Sequence, residues 1–444
     1  MLTAAVLLPP VLRAAEPAPA YPLKVSANKR YLVGGDGRPF LLVGDSPQTP
    51  MGRMSVADWE FYVANRRRYG INALWVHAMC RGNLGCNADA ATPDGIAPFL
   101  KPWDLATPNP AYFTRLDEFL RIAAAHGIVL LLTPAETSAD GWLDVLKANG
   151  PEKAFAFGQY LGRRYRDVPN IVWMHGNDFQ SWKDPADDAL VLAVARGIRA
   201  ADPNHLQTVE LNYHDSGSMD DERWRGLIDL DAAYTYWPTY ARVLHEYDRE
   251  DHKPVFLVEA NYEFEHIANT DGGAPPNLRR QEYWTMLSGA AGQLYGSGVT
   301  WKLPRGWRLM LDTPGVEQLG YMKALFAGRD WQDLVPDQGH AIVTAGSGDP
   351  APLGTGSVAT DTYATTAATP DGRLAIGYLP TRRRVTVDLS KLAGPVRARW
   401  YDPTDGRFSE TEGSPLPHAG TAHLEPPGKN REGGEDWVLV LEAK

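Results

Sequence analysis

The chain has 444 residues, 44% of them hydrophobic, with a formal net charge of −10 and two cysteines. That length exceeds one small domain and suits a barrel of about 250–350 residues with a smaller appended unit. The acidic balance excludes the basic face of a nucleic-acid binder, and the arginine triplets at 66–68 and 382–384 read as solvated faces.

The opening residues 1–12 form an apolar run, and Ala18-Pro19-Ala20 ahead of Tyr21 offers a small-x-small cleavage site. Residues 1–20 therefore read as a secretory leader that lacks a basic n-region. The run is too short to span a bilayer, and no later segment is long enough. The expectation is an exported chain without a membrane span. In an oxidising compartment Cys80 and Cys86, six positions apart, can close a small loop worth about 2 kcal/mol, or they are two free thiols. No His or Cys neighbour gives them zinc-site spacing.

Residues 31–45 read as a hairpin leading into a strand, with a turn at Gly34-Gly35-Asp36-Gly37. Apolar strand runs follow at 40–45, 71–78, 128–135, 170–176, 206–211, 231–237, 254–259 and 292–298. Helical windows lie between them, near 57–69, 111–126, 151–166, 185–201, 219–229, 239–248, 278–290 and 316–328. Asn109-Pro110 and Gly150-Pro151 mark helix starts, and His126-Gly127 a helix end. Eight strand–helix repeats predict a (β/α)8 TIM barrel over 21–335. After about 335 the helical period disappears. Short β-rich runs at 357–366, 374–378, 385–389, 396–401 and 437–441 predict a small C-terminal β-sandwich over 340–444, packed on the barrel because no long linker precedes it.

Two carboxylates stand just past apolar strands: Asp178, after Ile171-Val172-Trp173-Met174-His175-Gly176-Asn177, and Glu259, after Pro254-Val255-Phe256-Leu257-Val258. The carboxyl ends of parallel strands are where such folds keep their chemistry. On strands 4 and 7 of a barrel two acids can face each other across a bound group, the arrangement glycoside hydrolysis needs, with one acid protonating the leaving oxygen and one carboxylate attacking or activating water. Asp178 is expected to have a raised pKa and Glu259 to stay ionised. Strand-end aromatics suited to sugar faces are Trp75, Trp103, Tyr234, Tyr236, Trp237, Tyr262, Tyr295 and Trp301. Polar candidates for substrate are Asp45, His77, Asn177, Asn212, His214 and Glu263. Glu136, at the end of strand 3, is a rival acid. Asp45 orients substrate or braces the barrel, and His77 and His214 are ligands or structural histidines. No phosphate-cradling glycine loop, Ser-centred elbow or His-Glu-x-x-His motif is present, and no metal or organic cofactor is called for.

At these residues the chain resembles the apiosidase-like (β/α)8 glycoside hydrolases over about 25–335. The likeness lies in Gly44-Asp45-Ser46-Pro47-Gln48, in Arg68-Tyr69-Gly70-Ile71-Asn72-Ala73-Leu74-Trp75, in the run from Tyr160 to Trp173, and in the run from Ser288 to Trp301. The resemblance implies retaining hydrolysis with Asp178 as acid/base and Glu259 as nucleophile, and release of apiose from pectic side chains by exported bacterial enzymes. The last hundred residues are similar to the β-domain that follows this barrel, sometimes labelled collagen-binding. Three departures face the substrate: Gln48 where Trp is common, Gly-Asn-Asp at the strand 4 end, and Val-Glu-Ala-Asn-Tyr-Glu at the strand 7 end. The expected function is an exo-acting hydrolase of an oligo- or polysaccharide side chain. The alternatives are a non-catalytic carbohydrate- or matrix-binding protein on a relic barrel, and a transglycosylase or lyase using the same cleft.

Overall fold

The computed structural model describes residues 20–443 apart from 139–140, 181–182 and 268–269. The leader read at the start of the chain lies outside the described residues. Strands and helices then alternate: β1 Leu42–Gln48, α1 Val56–Arg68, β2 Ala73–His77, α2 Pro110–Ala125, β3 Val129–Thr133, α3 Leu143–Tyr165, β4 Ile171–Phe179 and α4 Pro185–Ala201. The second half continues as β5 Gln207–Leu211, α5 Glu222–Arg225, β6 Asp231–Thr235, α6 Thr239–Tyr247, β7 Val255–Glu259, α7 Pro275–Leu287, β8 Gly292–Tyr295 and α8 Pro314–Ala327. The ladder runs β5-β4-β3-β2-β1-β8-β7-β6, parallel throughout. At the β5–β6 seam Asp215–Gly217 pairs antiparallel with β6. There the Ser218 hydroxyl donates to the Val209 carbonyl of β5 and accepts the Ala232 N–H of β6 at 2.8 Å. One side chain thus bridges two strands whose backbones do not form a ladder.

Alternation divides each strand into an inner and an outer set. Ala73, Trp75, Val129, Leu131, Val172, Met174, Ala232, Tyr234, Phe256, Val258 and Leu294 fill the barrel. Leu74, Val76, Leu130, Leu132, Trp173, Val209 and Leu211 face the helices. A small antiparallel meander of Lys24–Val25, Leu32–Val33 and Pro39–Phe40 precedes β1, and its Leu23, Leu32 and Phe40 pack into the inner cluster. Helix starts follow local chemistry. Ser55 and Asp58 form a capping box, and Asn109 and Asp184 accept backbone N–H groups ahead of Pro110 and Pro185. Gly150, at φ 77°, kinks α3 before Pro151.

Several expected elements change. The helix expected at 219–229 is only α5, after a 3-10 turn at Ser218–Asp220, because Asp221 caps it and Ser218 is held in the seam. The strand expected at 292–298 ends at Tyr295, whereas β4 runs on to Phe179. The run at 357–366 becomes regular only at Thr365–Ala368.

The C-terminal unit is a six-stranded antiparallel sheet facing a three-stranded one. Val343, Val385, Val387 and Leu424 of the smaller sheet pack on Ala375, Val396, Ala398, Trp400, Leu439 and Leu441 of the larger. The far face of the larger sheet, with Ile376, Tyr378, Tyr401, Val438 and Val440, joins the barrel's outer core. Tyr283 of α7 stacks on Tyr378, with centroids 5.0 Å apart.

Candidate active site

The carboxyl ends of the strands surround a cavity of about 130 Å³ lined by Gln48, Leu84, Ser138, Asn177, Asp178, Tyr213, Tyr236, Glu259, Tyr262, Glu265, Ile267 and Trp301. It shares Ser138, Asp178 and Tyr213 with a wider cleft of about 780 Å³ that includes Arg81, Lys147 and Lys183. Asp178 therefore stands at the junction of a narrow pocket and a broad one.

Glu259 closes β7 and is buried. Its Oε1 accepts the hydroxyls of Tyr236 at 2.8 Å and Tyr234 at 3.1 Å, and its Oε2 accepts that of Tyr262 at 2.7 Å. Tyr234 also reaches Asp178 Oδ1 at 2.8 Å, so one phenol links both acids. Burial raises the Asp178 carboxyl, the Tyr234 hydroxyl pulls it back, and Glu265 adds a smaller upward push. Burial and the Asp178 charge push Glu259 up to about 8, against the Tyr262 and Tyr236 hydroxyls. Both carboxyls are thus shifted upward, where the sequence reading expected only Asp178 to move. Each charge opposes the other, so the pair loses its two protons in separate steps.

Of the residues read from sequence, Asp178, Glu259, Asn177, Tyr236, Tyr262 and Trp301 meet around the small cavity. The others are placed elsewhere. Asp45 lies on the outer face of β1, where Arg66 binds it at 2.5 Å and Tyr62 donates to it, so it braces strand to helix. Tyr295 is also outward, and donates to Glu263. Glu263 accepts from Thr313 Oγ1 at 2.6 Å and from the Gly315 N–H at 3.1 Å, so it caps the start of α8 instead of facing substrate. Trp75 is buried inside the barrel, its indole donating to Thr133 Oγ1 at 2.8 Å. His77 lies beside it, and burial depresses its pKa to about 3, leaving it neutral. Trp103 packs on Trp142 with Arg81 over its ring, away from the small cavity. The rival acid Glu136 turns into its own loop, accepting from Ser138 N at 3.1 Å and Ser138 Oγ at 2.7 Å, and burial brings it to about 7. Asn212, His214 and Trp237 stand outside the cavity lining, His214 packing edge-on against Tyr236 and Trp237.

Cys80 and Cys86 are disulfide-bonded. The closed loop carries Leu84 into the cavity wall, which the spacing of two cysteines does not reveal. Glu265, held by Trp301 Nε1 at 3.3 Å and Lys302 Nζ at 3.3 Å, and Tyr213 were also not read as site residues, because both lie in loops beyond a strand end. Glu210 of β5 was missed too, although its inward parity with Thr208 places it beneath the acid pair. Among the described residues, the one His/Asp/Glu grouping with metal-ligand spacing is Asp220, His245 and Glu246. It is already charge-paired with Arg242 and Arg249 and contributes nothing to the cavity.

Residues 26–333 match the family model "Apiosidase-like, catalytic domain", and residues 355–442 match "Putative collagen-binding domain of a collagenase". No curated protein matches the chain. Among solved structures, one described as a glycoside hydrolase superposes with a TM-score of 0.78 at 21% identity, covering 96% of this chain and 97% of its own. A glycoside hydrolase family 5 protein from Bacteroides vulgatus gives 0.78 at 21% identity, covering 95% of this chain and 93% of its own. These likenesses show the shared fold, and no helix among the described residues is long and apolar enough to cross a membrane. With the family model spanning most of the chain, this protein belongs to the apiosidase-like family and is a glycoside hydrolase.

Proposed function

We propose that the protein is an exported, retaining, exo-acting hydrolase that removes a sugar from a pectic or related polysaccharide side chain, with Asp178 as acid/base and Glu259 as nucleophile. The observation that carries this is the Tyr234 hydroxyl, which touches an oxygen of each acid at 2.8 and 3.1 Å. Those two oxygens can be no more than about 6 Å apart, which supports the close pairing of a retaining enzyme over the roughly 6.5–9.5 Å carboxyl separation at which inverting enzymes seat a water. Glu259 then attacks the anomeric carbon while Asp178 gives its proton to the leaving oxygen. Asp178 next takes a proton from the water that releases the sugar.

The narrow cavity supports exo action. At about 130 Å³ it is well below the roughly 300–1,000 Å³ of a typical ligand site and accepts a single sugar unit, while the adjoining cleft has room for the leaving chain. The sugar class rests on the family. The disulfide supports an oxidising compartment.

The test is a panel of aryl glycosides and pectic side-chain oligosaccharides assayed with wild type, Glu259→Gln and Asp178→Asn. Release by wild type and loss of about 10³-fold or more in both variants is expected. Activity equal to wild type in either variant overturns the assignment. Azide added to Asp178→Ala should yield a glycosyl azide with retained configuration; an inverted product overturns the retaining mechanism.

A further inference from the structure

Gly176, Asn177 and Asp178 have φ of 89°, 86° and 50°. Three successive left-handed residues interrupt the strand, and glycine, asparagine and aspartate are the types that tolerate this region best. The pairing of β4 with β5 jumps accordingly, from Gly176 opposite Glu210 to Phe179 opposite Leu211, and leaves Asn177 and Asp178 as a two-residue bulge. Left-handed backbone at non-glycine residues persists where its surroundings over-determine it. Here the surroundings are Glu210. Its buried Oε2 accepts the Asp178 backbone N–H at 3.1 Å, and the Asn177 side chain is within hydrogen-bonding reach of its carboxyl. At Gly176 a Cβ would come within 2.0 Å of the Glu210 carbonyl oxygen, so the bulge is pressed directly onto β5.

We propose that Glu210 is the positioning residue of the acid: from inside the barrel its carboxyl clamps the Asn177–Asp178 bulge and so sets the direction in which the Asp178 carboxyl projects. The clamp works as the neutral acid. Glu210 Oε1 and Asn177 Oδ1 are both buried acceptors without a donor. A proton on Oε1 supplies a donor there, while Oε2 continues to accept the Asp178 N–H. The acids Glu259 and Asp178 face Glu210 and oppose its charge, while the phenols of Tyr234 and Tyr262 face it as neutral groups. Burial and then the two acid charges push the Glu210 carboxyl well above its ordinary range, against the smaller downward pull of the Asp178 N–H and the Asn177 side chain.

This inference rests on Asp178 being the acid, and the experiment separates the two claims. The full chain carrying Glu210→Gln, Glu210→Ala or Asp178→Asn is assayed on a substrate that the wild type cleaves. A misaimed acid costs kcat and leaves sugar binding intact, so Glu210→Ala should lower kcat about 100-fold with KM within about threefold. The glutamine isostere of the neutral acid should keep kcat within about threefold and preserve the basic limb of the pH profile. Glu210→Asp, which withdraws the carboxyl by one carbon, should behave like alanine and serves where alanine does not fold. Wild-type kcat in both Glu210→Ala and Glu210→Asp overturns the clamp. A glutamine variant as slow as alanine overturns the neutral form. Wild-type turnover by Asp178→Asn defeats the acid assignment instead. Independently of turnover, the infrared difference between wild type and Glu210→Gln at neutral pH should contain the carbonyl band of a protonated carboxylic acid; a difference showing only a carboxylate band overturns the neutral form.

Discussion

Three hydroxyls converge on Glu259 and one on Asp178, so hydrogen bonding favours the charged form of Glu259 more than that of Asp178. Donors that point at a carboxylate favour its ionised form, so they oppose the burial and the Asp178 charge that push Glu259 up to about 8. The proposed retaining mechanism needs the singly protonated pair with Glu259 ionised and the proton on Asp178. Activity falls as pH drops and Glu259 gains a proton, and falls again as pH rises and Asp178 loses its own, giving a bell-shaped kcat/KM. Tyr262→Phe removes the hydroxyl 2.7 Å from Oε2 and leaves burial and the Asp178 charge less opposed. The Glu259 pKa should rise, and the acid limb of kcat/KM should move to higher pH with the basic limb much less affected. A profile whose acid limb stays in place would separate that limb from Glu259. The pair itself was legible in the sequence, because an apolar run ending in a carboxylate is a strong local signal. Glu263, four residues further on, was read as a polar partner of substrate but points to a helix start. The difference arises from the path of the loop, in which the Glu263 N–H binds the Gly296 carbonyl at 2.9 Å and turns the side chain toward Thr313, and no spacing in the chain encodes that path.

Among the elements, the loop between β2 and α2 does more than connect. Its disulfide encloses the turn Gly82–Leu84, and Arg53 donates to the Gly85 carbonyl at 2.6 Å. Together these hold Leu84 against the cavity. The Cys80→Ser/Cys86→Ser double variant should lose about 2 kcal/mol of stability from the freed loop. It should also raise KM about fivefold, the equivalent of about 1 kcal/mol of apolar contact with the sugar, while kcat is kept. Thermal unfolding and steady-state kinetics together check this; an unchanged KM would remove Leu84 from the substrate's surroundings. The barrel strands were readable because each is a short apolar run bounded by turn residues. The helix expected at 219–229 was misread because Trp224, Leu227 and Ile228 have helical spacing. Asp221 caps the helix late and Gly226 closes it early, and the backbone between β5 and β6 is recruited to close the barrel. Glu210 was overlooked for a related reason: it lies inside the run 206–211, which was read only as a strand, although the strand's own parity turns it inward with Thr208.

In the whole molecule, the C-terminal sandwich is tied to the barrel by a buried ion pair. Arg279 of α7 binds Asp436 in a bidentate fork at 2.7 and 2.9 Å and donates to Gln318 Oε1 of α8 at 2.8 Å. On the sandwich side Asp436 is held by Asn430 Nδ2 at 2.8 Å and by Tyr378 Oη at 3.2 Å. Only about 1% of the Arg279 side chain and 5% of the Asp436 side chain is exposed. Such a pair contributes little relative to a well-packed apolar replacement, but removing one partner strands the other charge in the interior at a cost of about 3–5 kcal/mol. The stacked Tyr283 and Tyr378 rings, and the Trp284 indole donating to the Tyr363 carbonyl at 2.9 Å, extend the same contact. The two units should therefore unfold in one transition in the wild type. Arg279→Ala should uncouple them, so that calorimetry resolves an earlier transition of the sandwich from a later one of the barrel. Arg279, Gln318 and Asp436 do not line the cavity that holds the acid pair, so kcat should be preserved below the first transition. A single transition merely shifted downward would instead make the sandwich and barrel one cooperative unit whose coupling does not depend on this pair, and would assign it to the aromatic and apolar face of the six-stranded sheet.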